Sequence, residues 1–175
     1  MDKKFILLAC VNKNMCIGKD NKLLYHIKSD LRNFKLMTVD NVVIMGRKTF
    51  ESLPNQRPLK DRINIIVTSN EDYSVDSSFD NVFIVHSLEE AKDLCETFYE
   101  NKTWYIIGGG SIYHQALEND IVDECNLTVV DDETEGDTYI PNILEDKRFG
   151  LFYKSDNIID EDTKLNYYFT ILKRK

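Results

Sequence analysis

Short, predominantly apolar runs recur along the chain at residues 5–11, 42–45, 63–67, 82–85, 104–107 and 126–130, with a last one at 167–172. Most are continuous rather than alternating, the pattern of strands buried on both faces. Between several of them lie stretches of helical periodicity, at 28–38, 47–53, 88–99 and 110–118. Strands that alternate with helices predict an α/β fold, with a mainly parallel central sheet of about eight strands covered on both faces. Ser87 followed by Leu88-Glu89-Glu90 is a capping-box start for the third helix. The tail from 121 to 175 carries strand patterns without intervening helices, including Asn166-Tyr167-Tyr168-Phe169-Thr170-Ile171-Leu172. These predict an antiparallel C-terminal edge. The acidic, polar stretches 131–137 and 155–164 read as surface loops. Neither a repeat nor a linker interrupts the pattern, so residues 1–175 are expected to form a single domain.

Two of the apolar runs lead straight into a glycine turn and then a helix. Val42-Val43-Ile44-Met45 enters Gly46-Arg47-Lys48-Thr49, and Trp104-Tyr105-Ile106-Ile107 enters Gly108-Gly109-Gly110-Ser111. A helix start exposes unpaired N–H groups and the positive end of the helix dipole, so each junction can hold a phosphate. Two junctions at strand carboxyl ends suggest a dinucleotide. The triplet is neither a Rossmann fingerprint, since Tyr113 stands where the third glycine belongs, nor a P-loop.

The 175 residues carry a net charge of −8, which opposes nonspecific nucleic-acid binding. Basic groups are nevertheless concentrated at Arg47, Lys48, Arg57 and Arg62, enough to receive an anionic small molecule. Cys10, Cys16, Cys95 and Cys125 form no C-x-x-C pair and have no histidine at metal spacing. Unpaired thiols in a reducing compartment and no metal site are expected. Met1-Asp2-Lys3-Lys4 before the apolar run faintly imitates a signal peptide, but the run ends at Asn12 and Lys13 without a small-residue cleavage site. A first buried strand, no membrane segment and a cytoplasmic location are the expectation.

Candidate chemistry begins in the segment from Cys16 to Ile27, which follows the first strand and has the length of a functional lid or of a plain surface crossing. Asp30 opens the next helix with Phe34 one turn later on the same face. Turned inward, that carboxylate would hold an amidine-like N–H pair; turned outward, it would only support the helix start. Thr68-Ser69 and His86 end strands and are either turn formers or phosphate ligands. His26 and His114 have no partner at suggestive spacing.

Taken in order, these pieces resemble the dihydrofolate reductase family across nearly the whole chain. The pattern runs through Ile17-Gly18-x-x-Asn21, Asp30 with Phe34, Val43-Ile44-Met45-Gly46-Arg47-x-Thr49-x-Glu51-Ser52, Arg57-Pro58-Leu59 and Arg62-x-Asn64. It continues through Ile107-Gly108-Gly109-Gly110 with Tyr113, Leu127-Thr128, and Glu135-Gly136-Asp137-Thr138-x-x-Pro141. The resemblance implies reduction of 7,8-dihydrofolate to tetrahydrofolate with NADPH, serving one-carbon metabolism and thymidylate synthesis, in a monomeric antifolate target. It assigns the catalytic roles to Asp30, Tyr25, Thr128 and Tyr113, with Asp30 anchoring the pterin. Leu8, Leu31, Phe34 and Leu53 would form the apolar slot, and Arg57 and Arg62 would meet the substrate's glutamate tail. Cys10 and Ile17 would hold the nicotinamide carboxamide through their backbones with Tyr113 beside the ring, and Gly18, Ile107 and Ile112 would also bind the cofactor. Gly46 to Thr49 with Gly109 and Gly110 would hold the pyrophosphate, and Ser111, a cofactor-side position that lacks the family's basic side chain, would leave more of that task to Arg47 and Lys48. Arg47, Lys48, Thr68, Ser69 and His86 would recognise the 2′-phosphate.

The chain departs from the family pattern in three places. Leu24-Tyr25 replaces a Pro-Trp pair in the lid, Ser111 replaces a basic residue after the glycine triplet, and Asn55-Gln56 is an insertion before Arg57. Two other readings fit part of the pattern: a related NADPH-dependent reductase of a ribosylated pyrimidine in riboflavin synthesis, and a catalytically silent nucleotide-binding module. Asp30 and Arg62 speak against the first, because a pterin edge and a glutamyl tail need those two groups.

Overall fold

The computed structural model describes residues 5–175, so the signal-like Met1-Asp2-Lys3-Lys4 stretch lies outside the described residues. The first apolar run is a buried strand, β1 (Phe5–Asn12). It is followed by β2 (Cys16–Lys19), β3 (Lys22–Leu23), α1 (Lys28–Thr38), β4 (Val42–Gly46) and α2 (Arg47–Glu51). Next come β5 (Ile63–Val67), β6 (Val82–Val85), α3 (Leu88–Phe98), β7 (Trp104–Gly108) and α4 (Gly110–Glu118). The tail contributes β8 (Glu124–Val130), β9 (Thr138–Tyr139), β10 (Phe149–Lys154), β11 (Ile158–Ile159) and β12 (Asn166–Arg174).

The main sheet runs β10-β12-β8-β1-β7-β4-β5-β6, with β11 attached to β12. Its strands from β8 to β6 are parallel, and β12 and β10 add the antiparallel edge that the tail predicted. Side chains alternate across each strand. In β1, Phe5, Leu7 and Val11 pack with Leu88, Ala91 and Cys95 of α3 and Ile112 and Ala116 of α4. Ile6 and Leu8 face the opposite way and pack with Phe50 of α2 and Met37 of α1. Ser87 caps α3 by accepting from the Glu90 N–H at 3.0 Å, as its sequence signature requires.

Three local expectations are corrected. The second helix, expected over 47–53, ends at Glu51, because Pro54 blocks continuation and the Ser52 N–H closes back on Lys48 and Thr49 carbonyls at 3.1 Å. The lid is not a plain loop, since β2 pairs with β3 and β9 in a separate three-stranded sheet. The 155–164 stretch is not all loop either, since β11 lies within it on the edge of β12.

α1 meets the sheet on the side of Ile6 and Val43, where its Met37 joins their cluster. Only Thr38 of its eleven residues is fully buried, while Phe34 is half-buried and Leu31 is 42% exposed. A helix whose apolar side neither closes on the sheet nor turns wholly to water forms one wall of a cleft.

Candidate active site

The cleft wall on α1 carries Asp30, Phe34 and Thr38 at four-residue intervals, hence on one face. Asp30 and Thr38 are about 12 Å apart along the axis, at 1.5 Å per residue. Asp30 reaches back to the sheet, where Thr128 Oγ1 of β8 donates to its Oδ1 at 2.5 Å. Burial pushes the Asp30 carboxyl above its ordinary range, opposed by hydrogen bonds from Thr128 and the Cys10 thiol. Asp30 is therefore not a helix-capping group, and α1 has no side-chain cap at all. It is an acceptor in a partly dehydrated cleft, suited to a ligand edge carrying N–H donors.

At the other end of the same face, Arg62 is buried. Its Nη1 donates to Thr38 Oγ1 at 3.1 Å, while its Nε has no partner. Arg62 is fixed by its surroundings: the carbonyl accepts from Asn64 Nδ2 and Asn81 Nδ2, both at 3.1 Å. A buried guanidinium nitrogen without an acceptor is costly unless an anion comes to it. Arg62 borders an open cavity of about 680 Å³ at the amino ends of β4, β5, β6 and β7, together with Arg57, Lys60 and Lys102 and the acidic Asp40, Asp61 and Asp80. The inserted Asn55-Gln56 folds into a compact turn with both residues left-handed, φ 58° and 50°. Arg57 stays exposed beside that cavity. Leu8 and Leu53 belong to one apolar cluster with Met37 of α1.

The two glycine junctions are neighbours, because β4 and β7 pair in parallel with Met45 opposite Gly108. Gly108 has φ +125°, which L side chains rarely adopt, and it precedes a cis peptide to Gly109. A Cβ on Gly109 would lie 3.2 Å from Thr49 Oγ1, and one on Gly46 would lie 3.1 Å from Ile112 Cγ1. Bare backbone at both turns thus leaves a cradle between the starts of α2 and α4, and it fits a pyrophosphate. Tyr113 is buried in α4, with its hydroxyl donating to the Leu8 carbonyl at 2.7 Å. Burial drives its pKa far up, so it is a neutral wall rather than an acid. Ser111 is exposed and accepts from Gln115 Nε2 at 3.0 Å. Arg47 is paired with Glu51 at 2.8 Å, and the His86 ring bonds the Thr68 carbonyl at 2.8 Å, whereas Lys48 and Ser69 are exposed. The basic cluster expected to be free is therefore partly engaged within the protein.

Tyr25, expected beside Asp30, directs its hydroxyl elsewhere: it donates to Asp132 and accepts from Asn12 Nδ2 at 3.2 Å. Burial and the Asp132 bond raise its pKa to about 12. The same loop is held at its tip, where the Asp20 N–H donates to Asp137 Oδ2 at 2.9 Å and the Asp137 N–H donates to the Gly18 carbonyl at 3.0 Å. Gly136 fits there only because it has no side chain, since a Cβ would sit 2.3 Å from the Gly18 carbonyl. Ile17 and Gly18 are buried in this clasp.

Sequence reasoning missed Asn12, Thr38 and Asp132. Asn12 is fully buried, accepting from the Asn14 and Cys16 N–H groups and donating to the Thr134 carbonyl. Its signal was an amide directly after an apolar strand, where a buried polar group must organise something. Thr38 and Asp132 offered no local signal, because their partners Arg62 and Tyr25 are 24 and 107 residues away.

The model of the family "Dihydrofolate reductase" matches residues 4–174. A dihydrofolate reductase of Bacillus subtilis is 34% identical over 168 residues, covering 96% of this chain and 93% of that protein. A bifunctional dihydrofolate reductase-thymidylate synthase of Daucus carota is 33% identical over 98% of this chain, which spans only 34% of that longer protein. Among solved structures, a dihydrofolate reductase from Enterococcus faecalis, complexed with NADP(H) and RAB-propyl, superimposes with a TM-score of 0.86 at 28% identity, covering 98% of this chain and 96% of that one.

Proposed function

The chain belongs to the dihydrofolate reductase family, NADPH-dependent oxidoreductases that reduce dihydrofolate to tetrahydrofolate, and from that premise we propose how its own residues divide the work. Asp30 accepts hydrogen bonds from the 2-amino group and adjacent ring nitrogen of the pterin, with Thr128 holding the carboxylate in place. Phe34, Leu8, Leu31 and Leu53 sandwich the rings and exclude water from their faces. Arg62 receives the α-carboxylate of the glutamate tail, and exposed Arg57 adds charge at the cavity mouth.

NADPH, when bound, supplies the hydride that reduces pterin C6. Gly46, Thr49, Gly109, Gly110 and Ser111 hold its pyrophosphate, and Arg47, Lys48, Thr68, Ser69 and His86 meet its 2′-phosphate. Arg47 exchanges Glu51 for that phosphate, and the charge it brings favours NADPH over NADH. Cys10, Ile17, Gly18, Ile107, Ile112 and Tyr113 line the nicotinamide end. The fixed negative charge of Asp30 favours a proton at pterin N5, completing the reduction. Tyr25 contributes by securing the lid through Asp132. The chain acts as a single-domain monomer in the cytoplasm; among the described residues no helix is long and apolar enough to cross a membrane.

The observation that carries this reading is a half-buried acceptor, Asp30, at one end of the α1 face and, held on Thr38 at its other end, a buried and incompletely bonded donor, Arg62. The matching ligand has an N–H-rich heterocycle at one end and a carboxylate at the other. Mixing the protein with NADPH and dihydrofolate and following nicotinamide absorbance tests it. Steady oxidation of NADPH is expected, with Asp30→Asn slower by about 100-fold or more and NADPH affinity nearly unchanged. Cofactor binding by folded protein without turnover would instead mark a silent binding module.

A further inference from the structure

Cys10 has so far counted only for its backbone, yet its side chain lies at the centre of the site. In the parallel pairing of β1 with β8, Cys10 stands directly opposite Thr128. Residues paired across neighbouring strands project to the same face of a sheet. That face is the one on which Thr128 Oγ1 meets Asp30. The flanking positions agree, since Ala9 and Val11 pack into the cluster beneath α3 and α4, whereas Cys10 packs on the opposite side with Ile27, Tyr25 and Val130. Cys10 is a free cysteine, and its place beside Thr128 on this face puts its thiol next to the Asp30 carboxyl, whose pKa it lowers as a donor would.

We propose that Cys10 is a positioning residue for the reaction: its thiol and the Thr128 hydroxyl, side by side on adjacent strands, donate together into the Asp30 carboxylate and fix the plane in which it meets the pterin. This rests on Asp30 being the pterin anchor. The thiol suits a donor and not a nucleophile. Burial first, then the Asp30 charge and hydrogen bond, raise its pKa well above the ordinary value, so it keeps its proton wherever the protein is folded. A thiol donor is weak and soft, giving a restraint that still lets the carboxylate adjust as a ligand arrives.

Removing the thiol has a definite sign. Donors to the carboxylate stabilise its anion, whereas burial destabilises it. Without the Cys10 donor the balance moves toward the neutral acid, and the titration of Asp30 shifts to higher pH. Of the titratable groups on the elements packed around the site, Tyr113 of α4 is kept neutral by burial, Tyr25 of the lid is raised to about 12 and bonds Asp132, Tyr167 of β12 is hydrogen-bonded to Ser29, and α1 itself carries exposed Lys28, Arg32 and Lys35. Tyr113 and Tyr25 keep their protons through neutral pH, so a midpoint that responds to Cys10 belongs to Asp30, whose carboxyl burial raises.

Two readouts test the proposal on the intact chain. In kcat/KM for dihydrofolate at saturating NADPH, the pH midpoint set by Asp30 should move up by about half a pH unit in Cys10→Ala, the scale of one weak hydrogen bond, and return toward wild type in Cys10→Ser. Independently of turnover, the infrared S–H stretch assigned to Cys10 by difference against Cys10→Ser should move to higher frequency in Asp30→Asn, where the acceptor is weaker. Superimposable pH profiles for wild type and Cys10→Ala, or an equal displacement in Cys10→Ser, would overturn the proposal. So would a Cys10 band indifferent to Asp30→Asn. If that band responds but the Asp30 variant turns over like wild type, the hydrogen bond stands and the pterin-anchor reading fails instead.

Discussion

At Asp30 function and stability pull in opposite directions. Burial raises its carboxyl pKa relative to the unfolded chain, so the group favours folding below its unfolded pKa and costs stability as pH rises through its folded pKa. Asp30→Asn should therefore melt higher than wild type at neutral pH, with the advantage closing toward about pH 4, where both side chains are uncharged. Calorimetry on the two proteins reads this on a scale where 1 kcal/mol is about 2–4 °C for a chain of this size. A variant that melts lower at neutral pH would mean that the carboxylate is structural. Arg62 gives a complementary expectation. Arg62→Leu should raise the KM for dihydrofolate by about 10–100-fold through loss of a charged hydrogen bond, with a much smaller effect on the analogue that lacks the glutamate. Equal losses with both substrates would detach Arg62 from the tail. Asp30 and Arg62 were legible only as residue types at a plausible spacing. What singles them out, a hydrogen bond donated to Asp30 by Thr128 98 positions away and an Arg62 nitrogen without a partner, exists only after folding.

The elements themselves were mostly legible, for the reason that their burial is extreme. β4 and β5 are so thoroughly enclosed that their apolar runs have no polar interruption to obscure them beyond Asn64, and α1 and α4 begin and end where periodicity puts them. The small sheet of β2, β3 and β9 was not legible, because a pairing such as Cys16 with Tyr139 depends on distant segments and its strands are two to four residues long. That sheet is what makes the lid an element, and beside it Tyr25 ties the same segment to Asp132. Tyr25→Phe removes the donor to Asp132 and leaves Asn12 Nδ2 with the Thr134 carbonyl alone. Loss of about 1 kcal/mol of lid attachment should speed NADPH release by roughly fivefold in stopped-flow competition. An unchanged release rate would show that the Asp137–Gly18 contacts alone hold the lid.

Across the whole molecule the charge of −8 is unevenly spread. Arg57 and Arg62 stand by the amino ends of the strands and Arg47 and Lys48 at the start of α2, while a separate network at the C-terminal edge joins Arg148 and Arg174 to Asp120 and Asp146. Hydrogen bonds from these arginines hold both carboxyls below their usual range, so their support for the fold is present above about pH 4 and is lost as pH falls through their folded pKa values. Arg148→Met should flatten the acid side of the stability–pH curve while leaving the shape above neutrality intact, as measured by melting temperature across pH. The account as a whole depends on a cleft that binds its ligand at both ends. A crystal structure with folate and oxidised cofactor measures this most directly. It should place the 2-amino group of the pterin on the Asp30 carboxylate and a glutamate carboxylate oxygen on Arg62 Nε at about 2.8 Å. A bound folate that leaves Arg62 Nε still unpaired, or a pterin edge turned away from Asp30, would contradict it.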